Sequence, residues 1–135
     1  MISPHHQRGI NNLVEAYEKD PRFLALIIGG SVAKGLARHD SDVDFMIIAT
    51  DEEYALRAPQ NELFINRQDL TDYKYGFVDG KIINMNYLLE VNEKGNEPSR
   101  AAFDGAFLAY SKIDGLDQLM ESISTYPEET RAEKL

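Results

Sequence analysis

The stretch that decides the fold is GGSVAKGLARHDSDVDF, residues 29–45. It begins with two glycines at the end of an apolar run, and it ends with Asp42 and Asp44 in a segment that otherwise favours a strand. Aspartate is depleted in strands, and two aspartates at alternate positions point to one face, about 7 Å apart. Their like charges repel each other. We therefore expect a bound cation or ligand to compensate for this repulsion.

Two strands are predicted on either side of this stretch. RFLALIIGG, residues 22–30, is a continuous apolar run closed by two glycines, which is typical of a buried strand. DVDFMIIA, residues 42–49, is the second strand. Val43, Phe45 and Ile47 share one face, whereas the opposite face is acidic at its start and apolar further on. This pattern predicts that the acids lie at the rim of the sheet, where ligands have access.

The remaining pattern predicts an α+β domain with a central mixed β-sheet flanked by helices. Helix and strand signals are interleaved along the whole chain, without a repeat or a low-complexity segment. The predicted elements are a helix starting at Ser3-Pro4; a short helix in SVAKGLA, residues 31–37; a helix from about Asp51 to Arg57 behind a Thr50/Glu53 capping box; a β-hairpin in YGFVDGKIINMNYLL, residues 75–89, with Asp79-Gly80 as its tight turn; a helix start in EPSRAAFDGA, residues 97–106; a strand in AFLAYS, residues 106–111; a helix from Leu116 to Ser124; and the start of another helix in YPEETRAEKL, residues 126–135.

Composition limits the classes of function. The 135 residues include 43% apolar residues and no cysteine, which fits one globular domain and excludes disulfides and thiolate metal sites. The net charge is −9, and the basic residues are scattered singly, which argues against long DNA or RNA as a partner. No apolar run can span a bilayer, and the start of the chain lacks the apolar core of a signal peptide. A cytoplasmic protein without a membrane partner is expected.

The residues themselves suggest a phosphate cradle facing two carboxylates. Gly29 and Gly30 allow a close approach of the backbone, and the N–H groups of residues 31–33 would open a helix, whose start holds anions. Asp42 and Asp44 return on the adjacent strand, and a divalent metal between them would relieve their repulsion. Magnesium suits such a site, because it is held by a few carboxylates together with substrate phosphates. Two carboxylates and a triphosphate on two metal ions are typical of nucleotidyl transfer by in-line displacement.

These residues resemble a known family. GGSVAKGLARHDSDVD, residues 29–44, matches the hallmark of the DNA polymerase beta-like nucleotidyltransferase superfamily, in which an apolar-Gly-Gly/Ser turn, a short helix and Asp-apolar-Asp follow one another. The chain looks most like small bacterial nucleotidyltransferases related to aminoglycoside adenylyltransferases. Further stretches are similar to one branch of these proteins, namely DSDVDFMIIATDEEY (40–54), YGFVDGKIINMNYLL (75–89), EPSRAAFDGA (97–106) and TYPEE (125–129).

The resemblance implies roles for individual positions. Gly30 and Ser31, next to Gly29, would contact the β- and γ-phosphates of a nucleoside triphosphate such as ATP. Asp42 and Asp44 would hold magnesium. The superfamily has a third carboxylate on a later strand, which bridges the catalytic metal and helps to activate the acceptor hydroxyl. Its best match here is Asn84, in KIINMNYLL, residues 81–89.

Asparagine at position 84 departs from the family pattern. It offers one neutral oxygen and cannot take up a proton. The nearest acids in the sequence, Asp79 and Glu90, have no evident place in the site. Three interpretations stay open: a pseudo-enzyme that still binds nucleotide, an active enzyme that draws a base from elsewhere, and an altered form of an active protein.

Other candidate residues have a structural interpretation beside the functional one. Lys34 either reaches a phosphate or faces solvent, and Ser41 either contacts the nucleotide or, with Asp40, forms the turn into the strand. His39 is a surface histidine or a substrate contact, and His5-His6 occupy exposed helix positions or bind stray metal. Four aromatic residues could stack on a base but more often belong to a core: Tyr73, Tyr75, Phe77 and Tyr87.

The sequence therefore predicts one nucleotidyltransferase domain over residues 1–135, and the resemblance implies a C-terminal helical domain that this chain does not include. The predicted activity is the transfer of a nucleoside monophosphate from a magnesium-bound triphosphate to a hydroxyl of a small acceptor, with AMP as the first candidate for the transferred group. The alternatives are a catalytically silent nucleotide-binding or interaction module, and an enzyme that modifies a protein side chain. The acceptor, the preferred base and the oligomeric state are left open.

Overall fold

The computed structural model describes residues 2–125, which form a five-stranded sheet flanked by helices. The predicted fold class is confirmed. The elements in chain order are α1 (Pro4–Tyr17), β1 (Phe23–Gly29), α2 (Gly30–Lys34), β2 (Val43–Ala49), α3 (Asp51–Arg57), a 3-10 turn (Ala58–Gln60), β3 (Phe64–Arg67), β4 (Val78–Ile83), α4 (Met85–Lys94), α5 (Glu97–Ala101), β5 (Phe107–Ser111) and α6 (Leu116–Ser124).

The sheet is mixed, with the strand order β3-β4-β2-β1-β5. Strands β1 and β2 pair in antiparallel fashion, as do β1 with β5 and β3 with β4. The pair β2 and β4 is parallel. Parallel neighbours need a crossover connection, and here the segment from α3 through β3 provides it. The parallel pair lies at the centre of the sheet and brings the starts of β2 and β4 to the same edge.

A hydrophobic core lies on each face of the sheet. On one face, Val43, Phe45 and Ile47 of β2 pack in a cluster that includes Ile10 and Leu13 of α1. On the other face, a second cluster combines Ile48 with residues of α4 and α6. The alternation predicted for β2 is therefore confirmed, and the acidic positions fall at the start of this strand.

Several predicted elements are confirmed. The first helix starts at Pro4, and the helix after Thr50 covers Asp51–Arg57, with the Thr50 hydroxyl accepting a hydrogen bond from the Glu53 N–H. The strand β5 and the helix α6 also lie where the sequence predicts them. In each case the signal is local, because a cap or an apolar periodicity within one segment specifies the element.

The predicted hairpin at residues 75–89 is wrong. Asp79 and Gly80 lie inside β4, whose antiparallel partner is the earlier strand β3, not a following arm. The strand ends at Ile83, and α4 begins two residues later. Gly80 is needed for packing rather than for a turn, because a Cβ at this position would collide with the ring of Phe45.

The last prediction, a helix start in residues 126–135, lies outside the described residues. Among residues 2–125, none of the helices is long and apolar enough to cross a membrane.

Candidate active site

The glycine turn lies beside the acidic start of β2. Gly29 pairs with Asp44 across the antiparallel β1–β2 ladder, and α2 begins at the next residue. Gly30 has φ +67°, a left-handed conformation that favours glycine. A Cβ at Gly30 would also collide with the carboxylate of Asp44. Glycine is therefore required at position 30 both by its backbone conformation and by its contact with Asp44.

A third carboxylate completes this acidic cluster, and it belongs to Asp79. The parallel register of β2 and β4 places Asp44 opposite Asp79. One oxygen from each of Asp42, Asp44 and Asp79 lies within 4.8 Å of the other two. Asp42 precedes β2 by one residue, so the cluster joins a loop and two strands.

Asn84, which the resemblance places in the site, lies apart from this cluster in the structure. It lies at the far end of β4 from Asp79 and is the N-cap of α4, where its side-chain oxygen accepts a hydrogen bond from the Tyr87 N–H at 3.0 Å. Asparagine is a preferred N-cap residue, so a helix start explains its presence. Asp79 lies near the start of β4 and Asn84 follows its end, and because a strand rises about 3.3 Å per residue, nearly the whole length of β4 separates the two side chains.

A signal in the sequence could have identified Asp79. Val78, Gly80 and Ile82 are buried, whereas Asp79 is exposed between them. This period-two alternation is typical of a strand with one buried face. The Asp-Gly pair is also a strong turn signal, and the turn interpretation hid the alternation.

Gly80 helps to bring the third acid into the cluster. It pairs with Phe45 across the parallel ladder, next to the Asp44–Asp79 pair. The Phe45 ring covers Gly80, so any larger residue would force the ring or the strand to move. The absence of a side chain at position 80 thus allows β4 to lie flush with β2 in the register that juxtaposes Asp44 and Asp79.

The cluster strongly perturbs one of its own acids. Burial raises the pKa of Asp44 to about 7, helped by a hydrogen bond with Asp42 and by the negative charges of Asp42 and Asp79. Near neutral pH, Asp44 can thus hold a proton. Within residues 2–125, no salt bridge to Lys, Arg or His compensates these three carboxylates.

The donor set fits a hard divalent cation. It consists of carboxylate oxygens close enough to face a common ion, and Mg²⁺ prefers such ligands together with substrate phosphates. A cation would replace the proton on Asp44 and reduce the repulsion that raises the pKa of this carboxyl. The chemistry of the residues is therefore consistent with the metal site that the sequence predicts, with Asp79 added to Asp42 and Asp44.

A cavity of about 270 Å³ opens next to the cluster. Ser31, the second residue of α2, is half-buried, and Lys34 is exposed at the end of the same helix. The stem of Lys34 lies against Gly105, in the loop between α5 and β5. The cavity is lined by Gly29, Gly30, Asp44, Phe45, Met46 and Ala102.

Ser41 shapes the loop before the acids. Its hydroxyl accepts a hydrogen bond from the Arg38 N–H at 2.8 Å, and its own N–H donates to the Arg38 carbonyl at 3.1 Å. These bonds close the turn that leads into β2, which is the structural interpretation of Ser41.

A solved crystal structure of a toxin-antitoxin with AMP-PNP is similar over 93% of this chain and 91% of that chain, with 14% sequence identity and a TM-score of 0.45. This likeness is too weak to support an argument about partner or substrate. No curated protein matches the sequence. The family model described as nucleotidyltransferase domain matches residues 10–101, which is more than half of the chain. The chain therefore belongs to the nucleotidyltransferase domain family.

Proposed function

We propose that this protein transfers a nucleoside monophosphate from a magnesium-bound triphosphate to a hydroxyl of a small acceptor. AMP is the first candidate for the transferred group. The observation that carries the proposal is the cluster of Asp42, Asp44 and Asp79 beside the glycine turn. Membership of the family supports nucleotidyl transfer in general. The acceptor class and the choice of AMP come from the resemblance of the motifs.

The three carboxylates would have different roles at the reacting phosphate. Divalent ions, when bound, neutralise the charge of the triphosphate and of the developing pyrophosphate. Asp42 and Asp44 would hold these ions, with Asp79 as the third carboxylate ligand. Asp79 is the most exposed of the three, and an oxygen of its carboxylate would accept the proton of the acceptor hydroxyl.

The bonds and protons balance in this scheme. The acceptor oxygen forms a bond to the α-phosphorus, and the bond between that phosphorus and the bridging oxygen to the β-phosphate breaks. Pyrophosphate leaves with the electron pair of the broken bond, while the hydroxyl proton goes to the carboxylate of Asp79. The products are the nucleotidylated acceptor and pyrophosphate.

The residues of the glycine turn would hold the triphosphate. Gly30 has no side chain to collide with the Asp44 carboxylate, and the cavity lined by Gly29, Gly30 and Asp44 would give the phosphates access to the carboxylates. The hydroxyl of Ser31 and the ammonium of Lys34 would donate to phosphate oxygens from α2. Ser41 would contribute indirectly, because its bonds to Arg38 shape the loop that carries Asp42.

The alternative of a catalytically silent nucleotide-binding module has less support once the cluster is considered. It rested on asparagine at the third acidic position, and the cluster has Asp79 instead. A protein side chain as acceptor is kept as an outcome of the test, since a protein hydroxyl reacts by the same chemistry.

Labelled ATP tests the proposal. The protein is incubated with Mg²⁺, ATP labelled at the α-phosphate, and an extract divided into small-molecule and protein fractions; label transfer and pyrophosphate release are measured together. We expect Mg²⁺-dependent transfer to the small-molecule fraction, and none with the Asp44→Asn variant. Transfer to the protein fraction would identify a protein acceptor. Nucleotide binding without pyrophosphate release in any fraction would refute the enzymatic proposal.

A further inference from the structure

Two side chains that the proposed chemistry does not use converge on one backbone carbonyl. The Nε2 atom of His6, in α1, lies 2.9 Å from the carbonyl oxygen of Ser41, and the hydroxyl of Tyr73 donates to the same oxygen at 2.7 Å. Ser41 directly precedes Asp42 in the chain. The carbonyl therefore connects α1 and the loop before β4 to the first acid of the cluster.

These side chains belong to a packed group of rings. His6 is only 1% exposed, and the ring of His5 lies 4.1 Å from it and 4.2 Å from the ring of His39. Tyr73 packs edge-on against both His5 and His6. The Nε2 atom of His5 lies 2.8 Å from the His39 carbonyl, so a second carbonyl of the same loop is also held. The ring group thus contacts two carbonyls, those of His39 and Ser41, in the loop between α2 and β2.

The chemistry of the bond to Ser41 specifies the state of His6. A carbonyl oxygen only accepts hydrogen bonds, so the Nε2 atom carries the proton. Burial lowers the pKa of His6, which favours the neutral imidazole with this one proton. The Nε2 atoms of His5 and His6 are thus both engaged with backbone carbonyls of the loop that precedes β2.

Asp42 needs such support more than the other acids do. Asp44 and Asp79 lie within β2 and β4, where ladder bonds fix the backbone, whereas Asp42 lies in the loop before β2. The negative charges of Asp44 and Asp79 also push its carboxylate outward when no cation is bound. The two bonds to the Ser41 carbonyl restrain the backbone directly before Asp42 against this displacement.

We propose that His6 and Tyr73 are positioning residues, which fix Asp42 by holding the Ser41 carbonyl and thereby set the affinity of the cluster for a divalent cation. This inference rests on the proposed function, because it requires that Asp42 binds a cation. It assigns a role to residues outside the motif and outside the acidic cluster.

Binding of Mn²⁺ alone, followed by electron paramagnetic resonance at pH 8, tests the inference. Tyr73→Phe removes one donor to Ser41 and keeps the ring. Tyr110→Phe is the matched control, because its hydroxyl also donates to a backbone carbonyl, that of Phe23, at 3.3 Å and outside the acidic cluster. Loss of one such bond is worth up to about tenfold in an equilibrium. We expect Tyr73→Phe to bind Mn²⁺ about threefold to tenfold more weakly than wild type, and Tyr110→Phe to bind it like wild type.

Substitutions at His6 provide a second, independent measurement. His6→Gln keeps an N–H donor at a comparable reach, whereas His6→Leu removes it. We expect His6→Gln to retain most of the Mn²⁺ affinity and to surpass His6→Leu, with folding of each variant verified by circular dichroism. Equal Mn²⁺ affinity in wild type and Tyr73→Phe would overturn the inference and leave the proposed function standing, and so would an equal loss in both tyrosine variants. If the wild type binds no Mn²⁺, both are overturned.

Discussion

The most informative perturbation is Asp44→Asn, because the account predicts that it stabilises the protein while it destroys the metal site. In the unfolded chain the pKa of this carboxyl is ordinary, near 3.8, whereas in the folded protein burial and the neighbouring acids raise the pKa to about 7. The folded state therefore holds the proton more tightly. As the pH rises from about 4 to about 7, the folded state loses stability relative to the unfolded state, and above 7 the loss is complete.

The magnitude follows from the size of the shift. A difference of about 3 pKa units corresponds to about 4 kcal/mol. Because Asp44 is only half-buried, solvent screening reduces this figure, and we expect about 2 kcal/mol at pH 8. Asparagine has nearly the same shape, carries no charge and can donate to the carboxylate of Asp42. The variant should melt about 6 °C higher than wild type at pH 8 in EDTA, for a domain of this size.

Thermal unfolding followed by circular dichroism at pH 4 and pH 8 provides the assay. The stabilising effect should nearly vanish at pH 4, where Asp44 is protonated in the folded wild type. Asp20→Asn is a control of opposite sign: hydrogen bonds from Arg22 lower the pKa of Asp20 to about 2, so this carboxylate stabilises the fold above pH 4 and ceases to do so as the pH falls through 2. Asp20→Asn should therefore lower the melting temperature at pH 8. A lower melting temperature of Asp44→Asn at pH 8 would refute the reasoning.

Three further predictions address the site and the fold. As the pH increases toward 7, the Mn²⁺ affinity of the wild type should rise about tenfold per pH unit, and it should level off above pH 7, because the cation displaces the proton of Asp44. Calorimetric titration at four pH values measures this affinity, and an affinity that does not depend on pH would contradict the prediction. Gly30→Ala should cost about 1–3 kcal/mol in urea unfolding and weaken Mn²⁺ binding more than tenfold, because the residue has φ +67° and its Cβ would meet the Asp44 carboxylate. Unchanged Mn²⁺ affinity in this variant would argue against the close contact. Arg100→Leu should cost about 3 kcal/mol in urea unfolding without any change in Mn²⁺ affinity, because the buried guanidinium donates to backbone carbonyls in α4, directly after α4 and in α6. Wild-type stability of this variant would show that these bonds contribute little.

Much of the fold could be predicted from the sequence because its signals are local. The capping pair Thr50 and Glu53 lies within one turn of helix, and the alternation of Val43, Phe45 and Ile47 lies within one strand. The juxtaposition of Gly30 with Asp44 could also be predicted from the sequence, because only a short helix and a loop separate β1 from β2. In these segments the local preference and the tertiary structure agree.

The third acid could not be predicted in the same way. Asp79 reaches the site through the parallel pairing of β4 with β2, which are far apart in the chain, and local sequence does not specify that register. The neighbouring Gly80 gave a turn signal, although it serves the packing of Phe45. Asn84 shows that local sequence is ambiguous in the same way, because the pattern of a polar residue at the end of a strand fits both a ligand and a helix cap.

The contacts of His6 and Tyr73 with the Ser41 carbonyl depend on tertiary structure in a similar way. Each of them lies more than thirty residues from Ser41 in the chain. No periodicity marks a histidine in α1 or a tyrosine in a loop as a partner of that carbonyl. The sequence identified Asp42 and Asp44 but could not identify the groups that hold the loop in which Asp42 lies.

The central claim is that Asp79, not Asn84, is the third ligand of a divalent-cation site. Mn²⁺ binding in the presence of a non-hydrolysable ATP analogue tests it most directly, with wild type, Asp79→Asn and Asn84→Ser compared side by side. Serine retains a helix cap at position 84. We predict that Asp79→Asn weakens Mn²⁺ binding at least tenfold, whereas Asn84→Ser leaves it unchanged. Wild-type binding by Asp79→Asn, or a loss confined to Asn84→Ser, would contradict the account.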